Sequence, residues 1–533
     1  MSRARALRPD RPARALRRAA LIAASVFAGA ALRAQEPAEP APKPPAPQRE
    51  QEPAPIPVDA EAEQLGRPVR ELTLEDALRF GRANNVDLRA GELLPAQARQ
   101  DLLFAEAVFQ PELYGEVGYA DSETPARNLF QPSVQRETID AAVGWRQRVL
   151  TGGLFDLAYR PARFTTESTS GAFPERQFTQ DLSVTYTQPL LRGAWSDYNL
   201  AGIDAARHGV ARSEHDFVRL VQDTLLRVVE AYWELAYSRE NYRIVLSALD
   251  VAREQLRITE ERIRVRELAP RDRVADEAEV ARREEERIVA ENDIRRREDA
   301  LRRLMFDDHD GQLWRWNLRP TEPIDIRPGD DSLRWEALAD VALANRPDLK
   351  AARSLVAEAE IDLLQADRDT LPGLDLIGTW SSDGVRDSFT DSFQDAFEQQ
   401  FPDWGLRLQF SVPVGNQAAR ARRRTAELEV ERRQRALYSA MIDVTQEVRE
   451  AVRNLQSLQE SVRASAESVR LAETNLETEQ VKLRVGSSTA FEVQRRNQEL
   501  REARGRHLRN QLDHRIAESR LLHAQGLLQE PRN

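Results

Sequence analysis

The sequence predicts a mainly α-helical chain with a minority of membrane β-strands, built as a duplicated unit of short strands followed by a long helix. Three observations predict it. An apolar row recurs every seven residues over two stretches of about seventy residues, corresponding positions in the two stretches lie 220 residues apart, and short segments before them alternate apolar and polar residues.

The N-terminus has the form of an export signal. An Arg-rich start (Arg3 to Arg18) leads into "AALIAASVFAGAAL" and then "RAQ", the basic, apolar and small-residue order of a secretory signal. Cleavage is expected after Ala34, with Ala30 as the earliest limit. Residues 1–34 carry eight Arg and one Asp, so their removal takes the net charge from -11 to -18. So acidic a chain is a poor nucleic-acid binder. It has no cysteine, which excludes a disulfide framework, a thiolate metal site, a Cys nucleophile and a lipidated N-terminal Cys. No window approaches the roughly 20 apolar residues of a spanning helix. Residues 35–70, rich in Pro, Ala and Glu, have the composition of a disordered leader.

Beyond residue 70 the chain is duplicated. "EDALRFGRANNVDL" from Glu75 resembles "EALADVALANRPDL" from Glu336, and Asp87 precedes Pro111 by the same 24 residues that separate Asp348 from Pro372. "LSVTYTQP" (Leu182 to Pro189) matches "LRLQFSVP" (Leu406 to Pro413) without a gap. The first repeat is expected over 71–305, a linker over 306–332, the second repeat over 333–528 and a tail over 529–533. The first copy is longer between these landmarks by 37 residues (71 against 34). There Ile139, Ala141, Val143 and Trp145 alternate with Asp140, Gly144 and Arg146, and Phe155, Leu157 and Tyr159 alternate after "TGG", which predicts one extra hairpin over about 137–165.

Two long helices are expected at about Ser196–Arg266 and Gln417–Val485. Val221, Val228, Leu235, Tyr242, Leu249, Leu256 and Ile263 form the heptad row of the first, and Met441, Val448, Leu455, Val462, Val469, Leu476 and Leu483 that of the second. Such a period implies left-handed supercoiling against neighbours, and a soluble coiled-coil rod would show the same row. Each long helix ends in a turn, "VRELAPRD" or "VGSSTAFE", and reverses. Pro270 suits the first position of the returning helix, and Thr489 with Glu492 forms a capping-box pattern. Helices of about 36 residues (Leu74–Phe109 and Pro270–Met305) sum to the length of the long one, as do their second-repeat counterparts, so two short helices stacked end to end fit beside each long helix.

The strands carry one apolar face each: Leu182, Val184 and Tyr186; Leu374, Leu376, Gly378 and Trp380; Trp404, Leu406, Leu408, Phe410 and Val412. This pattern fits a membrane barrel, which must close because a bilayer leaves no backbone group unpaired. Four to six strands are too few to close around a channel, so several copies of the chain are expected to share one sheet. A small soluble sandwich on the helices is the alternative.

With these residues in place the chain resembles the outer-membrane efflux proteins, or TolC-like channel-tunnels, over about residues 71–528. The resemblance rests on "YTQPLLRG", "QFSVPVGN", "AYWELAYSRENY", "ELAPRDRV" and "RVGSSTAFEV" in their duplicated order. It implies a homotrimer with one β-barrel in the outer membrane, continued by an α-helical coiled-coil tunnel in the periplasm. It also implies docking to a periplasmic adaptor and an inner-membrane transporter, and passive export of substrates, with no cofactor. The docking tip would comprise Arg266, Glu267, Leu268, Ala269, Pro270 and Asp272 with Val485, Gly486, Ser487, Ser488 and Thr489. The family often has Gly after the valine of both turns, where this chain has Arg266 in the first. Acidic rings gate some members, and Glu473 and Glu477 are the candidate entrance ring, a charge site that would draw cations and could hold a divalent metal. The competing function is a periplasmic coiled-coil adaptor or scaffold without a barrel.

Catalytic chemistry has no foothold. The six histidines show no metal-ligand spacing, and "FDDHDG" at Phe306 fails as a calcium loop because its first and twelfth positions are Phe306 and Asn317. No phosphate loop or GxSxG is present.

Overall fold

The structure is a computed structural model that describes residues 69–124, 134–168, 175–307, 313–324 and 334–528. The signal, almost all of the leader, part of the linker and the tail lie outside the described residues. The first repeat runs β1 (Val69–Leu72), α1 (Leu74–Asn84), α2 (Val86–Glu106), β2 (Glu112–Thr124), β3 (Val134–Arg148), β4 (Leu154–Ser168), β5 (Arg176–Pro189), α3 (Ser196–Arg264) and α4 (Arg273–Met305). After β6 (Asn317–Pro320), the second runs α5 (Trp335–Asn345), α6 (Pro347–Arg368), β7 (Gly373–Arg386), α7 (Phe389–Phe397), β8 (Pro402–Ser411), α8 (Gln417–Arg484) and α9 (Ala490–Ala524). No described helix is long and apolar enough to cross a membrane.

The heptad rows do what their period requires. Val221, Val228, Leu235, Tyr242 and Leu249 on α3 and Val448 and Leu455 on α8 are buried, and the other members of both rows are half-buried. At 69 residues α3 is about 104 Å long. It packs against α2, α6, α4 and α9, while α8 packs against α6 and α9. Near the sheet the helical wall is therefore α2, α3, α6, α8, and toward the tips it is α4, α3, α9, α8.

The short helices differ from the expectation at one point in each repeat. Leu74–Phe109 is not one helix: it breaks at Asn85, and the second repeat breaks at Arg346, so the end-to-end stack is α2 on α4 and α6 on α9. Both break residues are buried and tie the junction together. Asn85 accepts the Leu88 amide (3.0 Å) and donates to the carbonyl of Leu304 at the end of α4 (2.9 Å). Arg346 pairs with Asp348 (2.7 Å) and Glu447 (2.7 Å) and donates to the carbonyl of Ala524 at the end of α9 (3.2 Å). Pro347 is the sequence signal, since the residue before a proline leaves the helical region and Pro fits a first helical turn.

The segment between the repeats contains a short 3-10 turn at Leu313–Arg315 and β6, which pairs in parallel with β1. It is pinned by a buried polar cluster. Arg239 of α3 donates to Glu298 (3.0 Å) and Asn317 (2.8 Å), and Arg302 donates to Glu298 (2.9 Å) and to the Trp316 carbonyl.

The remaining described strands form one antiparallel sheet in the order β2, β3, β4, β5, β7, β8. The extra hairpin is β3 and β4, and it lies inside the sheet, between β2 and β5. Among the described strands of this sheet, β2 and β8 have an open side.

Candidate functional site

Two places can act on other molecules: the sheet and the helical tips. Cross-strand register gives the sheet two unlike faces. Following one row, Leu113 lies opposite Trp145, Trp145 opposite Leu157, Leu157 opposite Val184, Val184 opposite Trp380 and Trp380 opposite Trp404, all on one side. The neighbouring row, Glu112, Arg146, Asp156, Thr185, Thr379 and Gly405, lies on the other. In the single chain the apolar side is open, with Val117, Trp404 and Leu406 between 70% and 81% exposed. A patch this continuous marks contact with another protein or with lipid.

The face is rich in aromatic residues. On the apolar face Trp145, Phe155, Tyr186 and Phe410 lie within three residues of the strand ends that join the helices. Tyr119, Tyr159, Trp380 and Trp404 lie five to seven residues from those ends, measured on the strand bounds. Aromatic side chains interspersed with aliphatic ones on an outward face are common on outer-membrane barrels. The turn at Leu150–Gly153, on the helical side, is tight, whereas the opposite ends of the strands join through longer segments. Strand residues were legible by their period of two, but which aromatic residues share a height appears only once register is set.

The polar face is held by ion pairs that cross the inserted hairpin. Tyr114 of β2 lies over Gly144 and donates to Asp156 of β4 (3.1 Å), and Arg146 pairs with Asp156 (2.9 Å). Arg160 of β4 pairs with Asp181 of β5 (3.0 Å).

Helix α7 was absent from the sequence-based expectation. It lies on the apolar face at the end remote from the long helices. Its Ser392 and Ala396 sit on β7 where Gly384 leaves room, since a Cβ there would meet the Ser392 carbonyl at 1.8 Å. Phe393 meets Tyr159 edge-on (6.0 Å) and Phe389 meets Phe178 (6.1 Å). Phe389, Phe393 and Phe397, four residues apart, were a readable signal.

The two tips have the same geometry despite different sequences. After α3 the Arg266 amide donates to the Ile263 carbonyl (3.0 Å) and the Glu267 amide to Arg262 (2.9 Å). After α8 Gly486 donates to Leu483 (3.1 Å) and Ser487 to Lys482 (2.9 Å). Both are Schellman turns with a left-handed residue, Arg266 at φ 65° and Gly486 at φ 75°. Arg266 thus keeps the turn at a conformational cost that glycine avoids. Ala269 and Asp272 close the first turn (Ala269 amide to Asp272 carboxylate, 3.1 Å), and Thr489 caps α9 by accepting the Glu492 amide (3.3 Å). Leu268 and Pro270 complete the first tip. Ser488 donates to Glu479.

Of the two entrance-ring candidates, Glu473 is half-exposed and paired with Arg504 (2.7 Å), whereas Glu477 is exposed. A polar seam that sequence inspection did not find joins the repeats along α9. From tip to junction it comprises Gln494 with Asp276, Arg501 with Glu286, Arg509 with Glu234, Arg520 with Glu230, and His523 with Asp223.

Known proteins share both the sequence pattern and this geometry. Residues 338–527 match the family model described as outer membrane efflux protein. That match covers the second repeat. The fold extends that likeness to both repeats. It is similar to the CmeC outer membrane channel of Campylobacter jejuni (TM-score 0.64, 14% identity, 86% of this chain and 87% of that one). It is also similar to the outer-membrane channel OprN (0.64, 14%, 91% and 99%) and to VceC of Vibrio cholerae (0.62, 16%, 85% and 96%). No curated protein matches by sequence. By fold the chain is similar to these outer-membrane channels rather than to a scaffold without a barrel.

Proposed function

We propose that the chain is one subunit of a homotrimeric exit duct in the outer membrane, conducting substrates passively from a periplasmic adaptor and an inner-membrane transporter to the exterior. The observation that carries this reading is the apolar, aromatic-rich sheet face joined to helices of about 104 Å. A helix of that length exceeds any bilayer, so the helical part stands in the periplasm.

The free margins of the subunit support self-association. Along the margin formed by α2 and α4, Leu93, Leu94, Phe104, Val274, Ile288 and Val289 are exposed. Along the α8 margin Leu428, Tyr438, Ile442, Leu471 and Val481 are exposed. Two different margins that match in character make a heterologous contact, which forms a ring where its rotation closes, as a threefold would.

The tips, Arg266–Asp272 and Val485–Thr489, are the adaptor-docking surface in this reading, and three copies of Glu477 form the entrance ring. Since Glu473 is neutralised locally by Arg504, Glu477→Ala is expected to reduce cation preference in planar-bilayer recordings more than Glu473→Ala does. The first experiment is extraction from separated outer membranes in mild detergent and light scattering for protein mass. A trimer is expected; a soluble monomer or dimer would sink the duct.

A further inference from the structure

We infer that three copies close a single eighteen-stranded barrel, with β2 of each subunit paired to β8 of the next, so that the inserted hairpin widens the membrane pore. This rests on the duct reading and goes beyond it. The second repeat contributes two strands, β7 and β8, and a first repeat built alike would give four strands per chain and twelve in a trimer. The described sheet has six per chain. The hairpin is no projection above the sheet: it separates β2 from β5 over its whole length, and the Tyr114–Asp156 and Arg160–Asp181 contacts fasten it on both sides.

Register gives the tilt. Glu112, the first residue of β2, shares a row with Gly405, six residues short of the end of β8 at Ser411 (411 − 405 = 6). The helix-side margin is therefore staggered by six residues over five strand spacings. With about 3.3 Å per residue and about 4.8 Å per spacing, the strands tilt by about 40°, as membrane barrels require.

Closure then has a definite register. The strands alternate in direction across the sheet, so β8 meets the next β2 antiparallel, and the apolar side stays outward only for even shifts. Level margins place Glu112 opposite the neighbour's Ser411. Val117 then lies opposite Leu406 and Tyr119 opposite Trp404, joining apolar face to apolar face. Eighteen strands at this tilt enclose a backbone diameter of about 35 Å, against about 23 Å for twelve. The barrel would accordingly pass wider cargo than its four-strand counterpart.

The absence of cysteine makes the test clean. Val117→Cys is combined in turn with Trp404→Cys, Leu406→Cys and Phe410→Cys in the full chain, and oxidised in the outer membrane. The Val117/Leu406 pair is expected to give covalent dimers and trimers, and the Phe410 pair few. Independently, Ala142→Cys, facing the lumen, is expected to react with a charged maleimide, while Val143→Cys, facing lipid, is protected. A detergent trimer with no cross-link at any pair, or with residue 143 as reactive as 142, overturns the eighteen-strand closure and leaves the duct standing. Loss of the trimer in the parent chain overturns both.

Discussion

At the residue scale Glu298 is a buried carboxylate held between Arg239 and Arg302. Glu298→Ala would remove the carboxylate shared by two buried guanidinium groups, Arg302 keeping Asp299 and Arg239 keeping Asn317, a loss of about 2–3 kcal/mol, at or just below the low end for broken buried pairs. A lowered thermal midpoint measures it, and Glu298→Gln is expected to recover part of the loss by hydrogen bonding. His514 on α9 is buried with Glu518 3.7 Å away. Burial lowers its pKa, the Glu518 carboxylate opposes this, and Arg515 adds to it. The folded value therefore lies below the unfolded one of about 6.5, and the unfolded chain takes up the proton first. Stability from this site is fully present above the unfolded pKa and is lost as pH falls through it toward the folded value. His514→Leu should flatten the dependence of the thermal midpoint on pH on the acidic side of about pH 6.5. At the first tip, Arg266→Gly relieves a left-handed side chain, which is worth about 1 kcal/mol. Amide exchange around residue 266 is expected to slow about fivefold as local opening becomes rarer.

At the element scale, α7 depends on one missing side chain. Gly384→Ala places a methyl group against the Ser392 carbonyl and must lift the helix from β7. The bonds from Gln180 to Ser392 (3.2 Å) and from Ser382 to the Ala396 carbonyl (2.7 Å) go with it. Protease cleavage between residues 387 and 401 on intact cells should accelerate, while barrel assembly, which α7 does not bridge, is retained; unchanged cleavage would mean that α7 is held by its phenylalanines alone. The breaks at Asn85 and Arg346 show the same dependence on local chemistry. Each ends one helix, starts another and binds the carboxyl end of a third, a role the sequence signals at Pro347 but conceals at Asn85.

At the scale of the whole molecule, in the duct reading, the margins rather than the core set assembly. Phe104 is 81% exposed on α2 in the single chain, and burying three copies in a ring removes that apolar area from water. Phe104→Asp would place an unpaired charge at each contact, and the trimer is expected to dissociate at lower denaturant concentration while helix content per chain stays unchanged. A trimer as resistant as the parent would remove α2 from the contact.

Much of this was determined by sequence alone. The 220-residue duplication, the heptads and the period-two strands arise from local side-chain periodicity, which records which face of each helix or strand is buried, and together they carry the family resemblance. The positions of Arg266 and Gly486 after matching valines likewise marked equivalent turns. Tertiary structure decided what periodicity does not encode: that β3 and β4 enter the sheet, that α7 lies on its apolar face, and that Glu473 is paired while Glu477 is exposed. Each of these depends on distances between segments far apart in the chain. A side-chain pattern fixes the face on which a residue lies, whereas its neighbour across that face is set by register and packing.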